Sequence, residues 1–538
     1  MTSYVWITEV EAETVAAALA AVDPTLPLAG VTLAVKDNID VAGLPTTAAC
    51  PAFAYEPAAS APVVQRLVDA GAVVVGKTNM DQFATGLTGS RSPYGVGRSA
   101  LDRALVSGGS SSGSAVAVAS GLAMAALGTD TAGSGRVPAA CNGIVGYKPT
   151  PGLLPNIGIV PACRSLDCPS VFTPTVQDSR RVLQVLAPTL APSPLDVEAS
   201  RLRVGVPDEG SLDLLHPAAR AAFAATVAST FTSHGAEVVP VDMTPFFAVG
   251  DLLYGGSWVA ERYHAVGRFI EAHPHEVNDV VASIILGARR LTAVDAFADR
   301  YRLEDLQARC APSLRNLDVL VTPTVPDVPT VEAVAADPIS TNHALGRFTT
   351  FVNLLGMAAV AVPGVARTDT VPFGVSILAV AGEDHRALDV ASLVQGERIP
   401  SPAPSGTGRA RIAVVGAHLD GQPLSHQLID RGGCLEQRTA TASAYRLYAL
   451  DTVPPKPGLA RVVAGGRAVE VEVWLLPLQG FGSFVESVPV PLAIGKVELH
   501  DGSWIPGFVC EPFALRGAPD ITGYGGWRAY LAATVAQA

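Results

Sequence analysis

None of the ten histidines of this chain falls in its serine- and glycine-dense stretch, Ser107 to Thr150. A serine nucleophile there needs some other base in hydrogen-bond reach. The seven cysteines (50, 141, 163, 168, 310, 434 and 510) are scattered and form no CxxC pair. That spacing argues against a disulfide framework and a zinc site, and reduced thiols in a cytoplasmic protein are expected. Positive charge is scarce, with 37 Lys and Arg against 49 Asp and Glu, a net charge of -12. This balance argues against nucleic acid and against an anionic membrane surface. Long apolar runs are also lacking: Ala115 to Leu127 and Leu354 to Val362 are too short, or too broken by Gly and Pro, to cross a bilayer. The opening MTSYVWITEVEAET carries acids where a signal peptide carries basic residues.

What is present suits a large, well-buried protein. Charged residues make up 16% of 538 positions against 49% hydrophobic ones, which leaves ample apolar side chain for packed cores. Through the first 400 or so residues, strand-like and helix-like segments alternate. VTLAVKDNID reads as a strand, APVVQRLVDAG as a helix, and AVVVGK as the next strand. LRVGVP (202–207), EVVPVD and LDVLVTPT (317–324) read as further strands, with PAARAAFAATVASTFTSHG as a helix. This rhythm predicts an α/β fold, a sheet covered by helices on both faces. APTLAPSPLD (187–196) reads as a linker within that domain.

The serine-rich stretch has a chemical reading of its own. Gly108, Gly109 and Gly113 surround Ser110 to Ser112, and Ser114 to Leu127 is expected to form a buried small-residue helix. GTDTAGSGR then sets Ser134 between two glycines, where a carbonyl can reach Oγ and backbone N–H groups can converge on an oxyanion. A buried lysine, its ammonium destabilised by desolvation, can replace histidine as the base. Lys36, in an apolar run, fits that requirement.

Taken in order, KDNID, GKTNMDQFATG, SGGSSSGSA, GTDTAGSGR, GYKPT and PFGVSILA (near 372) resemble the amidase signature family. The resemblance implies a mixed central sheet and a Ser–Ser–Lys triad. Ser134 is then the nucleophile, Ser110 a bridging serine on a cis peptide bond, and Lys36 the neutral base. The N–H groups of Thr131, Ala132, Gly133 and Ser134 would form the oxyanion hole. Gly135 departs from the family, where an apolar residue is commoner after the nucleophile. Asp130 is expected to hold the loop through backbone N–H groups, and Arg136 to enter a structural ion pair. Ser165 and Asp167 are expected to buttress the triad, and Thr129 and Tyr147 to be packing residues.

A break rich in Pro, Ser and Gly, RIPSPAPSGTGR, suggests domains 1–397 and 410–538 joined by a linker at 398–409. The second domain reads as strands joined by glycine turns. Its segments VGAHLDGQPLSHQL and FGSFVESVPVPLAIGKVEL (481–499) resemble the C-terminal domain of allophanate hydrolases, of γ-glutamylcyclotransferase-like fold. That resemblance implies a small carboxylated amide as substrate, bound by Tyr254 and Arg262. Eight residues on one helix would bring both to one pocket. It also suggests a second site with His418 and Glu486, assisting loss of carbon dioxide from the first product. His418, His426 and His500 match no compact metal motif, so neither metal nor organic cofactor is implied. No biotin-attachment segment of AMKM type occurs, so a separate urea carboxylase is the expected functional partner, and a homodimer the expected assembly. Two other readings stay open: another amidase (malonamidase-like, or a tRNA-linked glutamine amidotransferase subunit), and a non-catalytic binding or assembly protein.

Overall fold

The computed structural model describes residues 4–188, 190, 202–397 and 409–535. The chain separates into two compact units, Met1–Ser401 and Pro402–Ala538. Of the expected linkers, 191–196 and 398–408 lie outside the described residues, and Arg409 already opens a strand.

The first unit is built on one eleven-stranded mixed sheet. Its strands are β1 (Trp6–Glu9), β2 (Thr32–Lys36), β3 (Val73–Thr78), β4 (Ala125–Asp130), β5 (Val145–Lys148) and β6 (Cys168–Thr173). They continue as β7 (Arg203–Pro207), β8 (Glu237–Val241), β9 (Val319–Pro323), β10 (Ala358–Pro363) and β11 (Gly374–Ala379). The spatial order is β1-β3-β2-β4-β6-β5-β10-β11-β9-β7-β8. β9 and β11 are buried at every position, so VLVTP and GVSILA lack the alternation of a strand with one face in water.

One element differs from the sequence expectation. The segment 114–127 is not one helix: the helix spans Ser112–Ala119, and β4 begins at Ala125. Gly121 takes φ +69, and the Gly121 and Leu122 N–H groups close back on Val118 and Ala117 carbonyls. That is a glycine stop signal, and the Ala-rich run after it fits the narrow slot between β2 and β6.

This correction fixes the location of the site. β4 runs parallel to β2, with Leu33, Ala34 and Val35 opposite Ala125, Ala126 and Leu127. The carboxyl ends of both strands therefore emerge at one edge, the usual place for ligands in open α/β sheets. Lys36 ends β2 there, and Thr129 and Asp130 end β4.

The second unit holds β12 (Arg409–Val414), β13 (Cys434–Ala440), β14 (Tyr445–Leu450), β15 (Lys456–Arg461), β16 (Glu470–Pro477), β17 (Leu492–Glu498) and β18 (Trp504–Cys510). Five of them form a sheet in the order β13-β16-β12-β18-β17, and β14 pairs with β15. Ile412, Val414, Val473 and Phe484 are among its core residues. Among the described residues, no helix of either unit is long and apolar enough to cross a membrane.

Candidate active site

Lys36 is fully buried, and its Nζ donates to Ser110 Oγ at 2.8 Å and to Thr129 Oγ1 at 2.7 Å. Burial lowers its pKa to about 7, against the pull of Asp81, Asp167 and Asp130, whose negative charges raise it. An amine poised there is substantially neutral at physiological pH. Ser110 follows a cis Gly109–Ser110 peptide bond. Asp81 braces this turn: its N–H donates to Ser110 O at 3.0 Å, and its carboxylate accepts from the Gly89 and Arg91 N–H groups. A Cβ on Gly109 would come within 2.0 Å of Asp81 Oδ2, so only glycine fits.

The turn after β4 is held by a buried ion pair. Asp130 accepts from Arg136 Nε and Nη2, both at 2.9 Å, and from the Gly133 and Gly135 N–H groups. The expected roles of Asp130 and Arg136 match this geometry. The expectation for Gly133 does not: its N–H is committed to Asp130 Oδ1 at 2.9 Å. Among the described residues the N–H groups of Thr131, Ala132 and Ser134 have no partner, although all three residues are buried. Unpaired N–H groups within one buried turn are available to an anion. Asp167 supports this turn by accepting from Thr131 Oγ1 and from the Ala162 and Cys163 N–H groups. Gly135 is required here, since a Cβ would stand 2.6 Å from Ser170 Cβ.

Tyr254 and Arg262 meet, but not along one helix. The helix Thr244–Gly255 stops at an extended Gly256, and a second short helix, Val259–Arg262, brings the arginine back. The guanidinium lies 5.4 Å from the Tyr254 ring centroid, with Nη2 3.5 Å from its hydroxyl. Arg262 is 1% exposed, and Nη1 donates to Thr85 Oγ1 at 3.0 Å. Among the described residues, no carboxylate pairs with it. A buried cation held only by neutral acceptors is costly unless an anion arrives. Its charge also reaches Lys36, since Arg262 contributes to lowering the Lys36 pKa. Tyr254 lines a cavity of about 480 Å³ with Leu87, Asn342, Gly346 and Thr350.

Other expectations need amendment. Ser165 does not bond Lys36, Ser110 or Ser134; it is exposed and bonds Glu261, the residue before Arg262. Thr129 is no packing residue, because it accepts from Lys36. Tyr147 donates to Asp384 Oδ1 at 2.6 Å. In the second unit, His418 is 8% exposed, stacks on Phe508 and bonds Gln427 Oε1 through Nε2. Desolvation lowers its pKa to about 4, so it is neutral. It lines a cavity of about 190 Å³ with Lys456 and Ser487. Glu486 is exposed and does not line that cavity, although its neighbour Ser487 does.

Asp81, Thr85 and the Lys36 contact of Thr129 were not anticipated. The signal for Thr129 lay in reading GTD as the end of a strand parallel to β2.

Residues 2–388 match the family described as Amidase, and residues 410–532 the family described as Allophanate hydrolase C-terminal domain. The chain is 41% identical to the urea amidolyase of Saccharomyces cerevisiae, over 94% of this chain and 30% of that protein. It spans about a third of the length of the urea amidolyases it matches. It is 31% identical to the mandelamide hydrolase of Pseudomonas putida over 72% of this chain and 82% of that protein. A solved variant of Kluyveromyces lactis allophanate hydrolase is 38% identical, with a TM-score of 0.76, covering 98% of this chain and 93% of that one. On these matches, the chain belongs to the amidase family and carries an allophanate hydrolase C-terminal domain behind it.

Proposed function

We propose that this chain hydrolyses allophanate, urea-1-carboxylate, to ammonia and carbon dioxide. The observation that carries the reading is the buried Arg262, which forms no ion pair among the described residues, faces Tyr254, and lowers the Lys36 pKa through its charge. A substrate that is both an amide and an anion satisfies the two halves of such a site at once. Arginine suits the task because its planar fork meets a carboxylate with two parallel bonds.

Neutral Lys36 takes the Ser110 proton while Ser110 takes that of Ser134, and Ser134 Oγ attacks the terminal carbonyl of the substrate. The oxyanion falls among the N–H groups of Thr131, Ala132 and Ser134, donors that need no reorganisation. The proton returns through Ser110 to the leaving nitrogen, and ammonia departs. Water, deprotonated along the same path, then cleaves the Ser134 ester and frees N-carboxycarbamate. Loss of carbon dioxide from that product gives carbamate and then a second ammonia. The His418–Lys456 cavity is a candidate site for that later step, since it offers a cation and a neutral imidazole. A urea-carboxylating activity would supply the substrate.

The test is ammonia release from allophanate beside biuret, malonamate and glutamine, for the parent, Ser134→Ala and Arg262→Ala. Allophanate turnover lost with Ser134→Ala and collapsing with Arg262→Ala supports the reading. Turnover of another amide with silence on allophanate overturns it.

A further inference from the structure

Two consecutive residues, Phe83 and Ala84, take left-handed φ values of +49 and +51. Non-glycine residues rarely enter that region, and two in succession persist only where the surroundings over-determine the turn. Here they do. Phe83 is 2% exposed and packs edge-on against Phe53 and Phe269. The Gln82 side chain is tied at both ends, donating to Glu276 O and accepting from the Asn278 N–H. Arg91 donates to Thr85 O at 3.0 Å.

The outcome of this turn is that the Ala84 carbonyl and the Thr85 hydroxyl both face Nη1 of Arg262, at 3.4 and 3.0 Å. Thr85 is fully buried. Both acceptors are neutral, so they fix the plane of the guanidinium without cancelling its charge. An acid at this position would give a closed internal ion pair, and a purely apolar residue would leave Nη1 only the longer bond to the Ala84 carbonyl.

We infer that Thr85 is a specificity-determining positioning residue, which orients the Arg262 fork for a carboxylate while keeping its charge available. This rests on the reading of Arg262 as the carboxylate ligand. Preorganisation of this kind lowers the ordering cost of binding an anion. Its effect falls on discrimination between a carboxylated amide and its uncharged counterpart. Biuret is the matched comparison, because it carries an amide where allophanate carries the carboxylate.

The experiment measures kcat and KM on allophanate and biuret with the full chain, for the parent, Arg262→Ala, Thr85→Val, Thr85→Ser and Thr85→Asp. Thr85→Val keeps the shape and removes the acceptor. Loss of one hydrogen bond to a charged group predicts a fall of about tenfold in the allophanate-to-biuret ratio of kcat/KM, carried by KM. Thr85→Ser restores the ratio, and Thr85→Asp lowers it below that of Thr85→Val. A ratio unchanged in Thr85→Val, or both substrates losing activity equally, overturns the inference. A parent that shows no preference for allophanate, or a preference that survives Arg262→Ala, overturns the substrate reading itself. A preference that needs Arg262 and ignores Thr85 overturns this inference alone.

Discussion

Lys36 Nζ stands 2.8 Å from Ser110 Oγ, and burial has brought the lysine to a pKa of about 7. The base must be neutral to act, so kcat/KM on allophanate rises as pH rises through about 7 and levels off above it. Lys36→Ala costs on the order of a thousandfold in kcat and abolishes that acid limb. A pH–rate profile checks both. A flat profile from pH 6 to 8 in the parent contradicts the assignment.

The same burial that leaves the amine neutral also costs stability. Lys36 has a lowered pKa in the folded state, so the unfolded chain binds more protons between about 7 and the ordinary lysine value of 10.5. Stability from this group therefore rises with pH across that window, and the burial penalty is fully present below it. Lys36→Met is expected to be inactive yet to melt no lower than the parent at pH 6. Thermal melts at pH 6 and pH 9 test this: the gain in Tm from Lys36→Met is larger at pH 6.

How much of this could be read beforehand differs by residue. Lys36 and Ser110, which the structure brings together, were legible because each sits in a short motif with its own chemistry. The strand at Ala125 was missed because alanine suits a helix as well as a narrow slot between strands, and only the partners β2 and β6 decide. Tyr254 and Arg262 are singled out by the family resemblance, and the structure brings the two side chains together. Spacing suggested one helix, whereas Gly256 breaks it and a second short helix returns the arginine. Thr85 lies in the GKTNMDQFATG motif, but nothing there points to Arg262, since that contact depends on two left-handed residues that composition does not announce.

Asp130 and Arg136 form a buried pair that also holds the turn carrying Ser134. Asp130→Asn leaves a buried guanidinium without its anion, a loss of about 3–5 kcal/mol. The expected result is a Tm lower by several degrees together with loss of turnover. Arg136→Met removes the other partner and leaves the carboxylate its two backbone donors, so it destabilises less. Denaturant titration of the two variants ranks them, and equal losses contradict this division of labour.

Gly109→Ala tests whether the turn has room for a side chain. The added Cβ would meet Asp81 Oδ2 at 2.0 Å and the Gly89 nitrogen at 2.5 Å, one of them backbone. The prediction is loss of activity of at least a hundredfold, given how steeply rate falls when a reacting group is misplaced. Gly121→Ala, with nothing near its Cβ, carries only the left-handed backbone penalty and keeps its activity.

The C-terminal unit offers the sharpest division between two residues that the sequence placed together. His418 is buried, neutral and on the wall of a small cavity with Lys456, whereas Glu486 is exposed and off that wall. If the cavity handles the carboxylated product, Lys456 attracts its charge, and the neutral imidazole is free to exchange a proton. The readout is the delay between the first and second ammonia released per allophanate, followed beside carbon dioxide. His418→Ala and Lys456→Ala are expected to lengthen that delay, and Glu486→Ala to leave it unchanged. A delay that responds to Glu486 and not to His418 would place the chemistry on the outer surface. An identical delay in all three variants would leave decarboxylation to water alone, and the cavity would then have no part in the reaction.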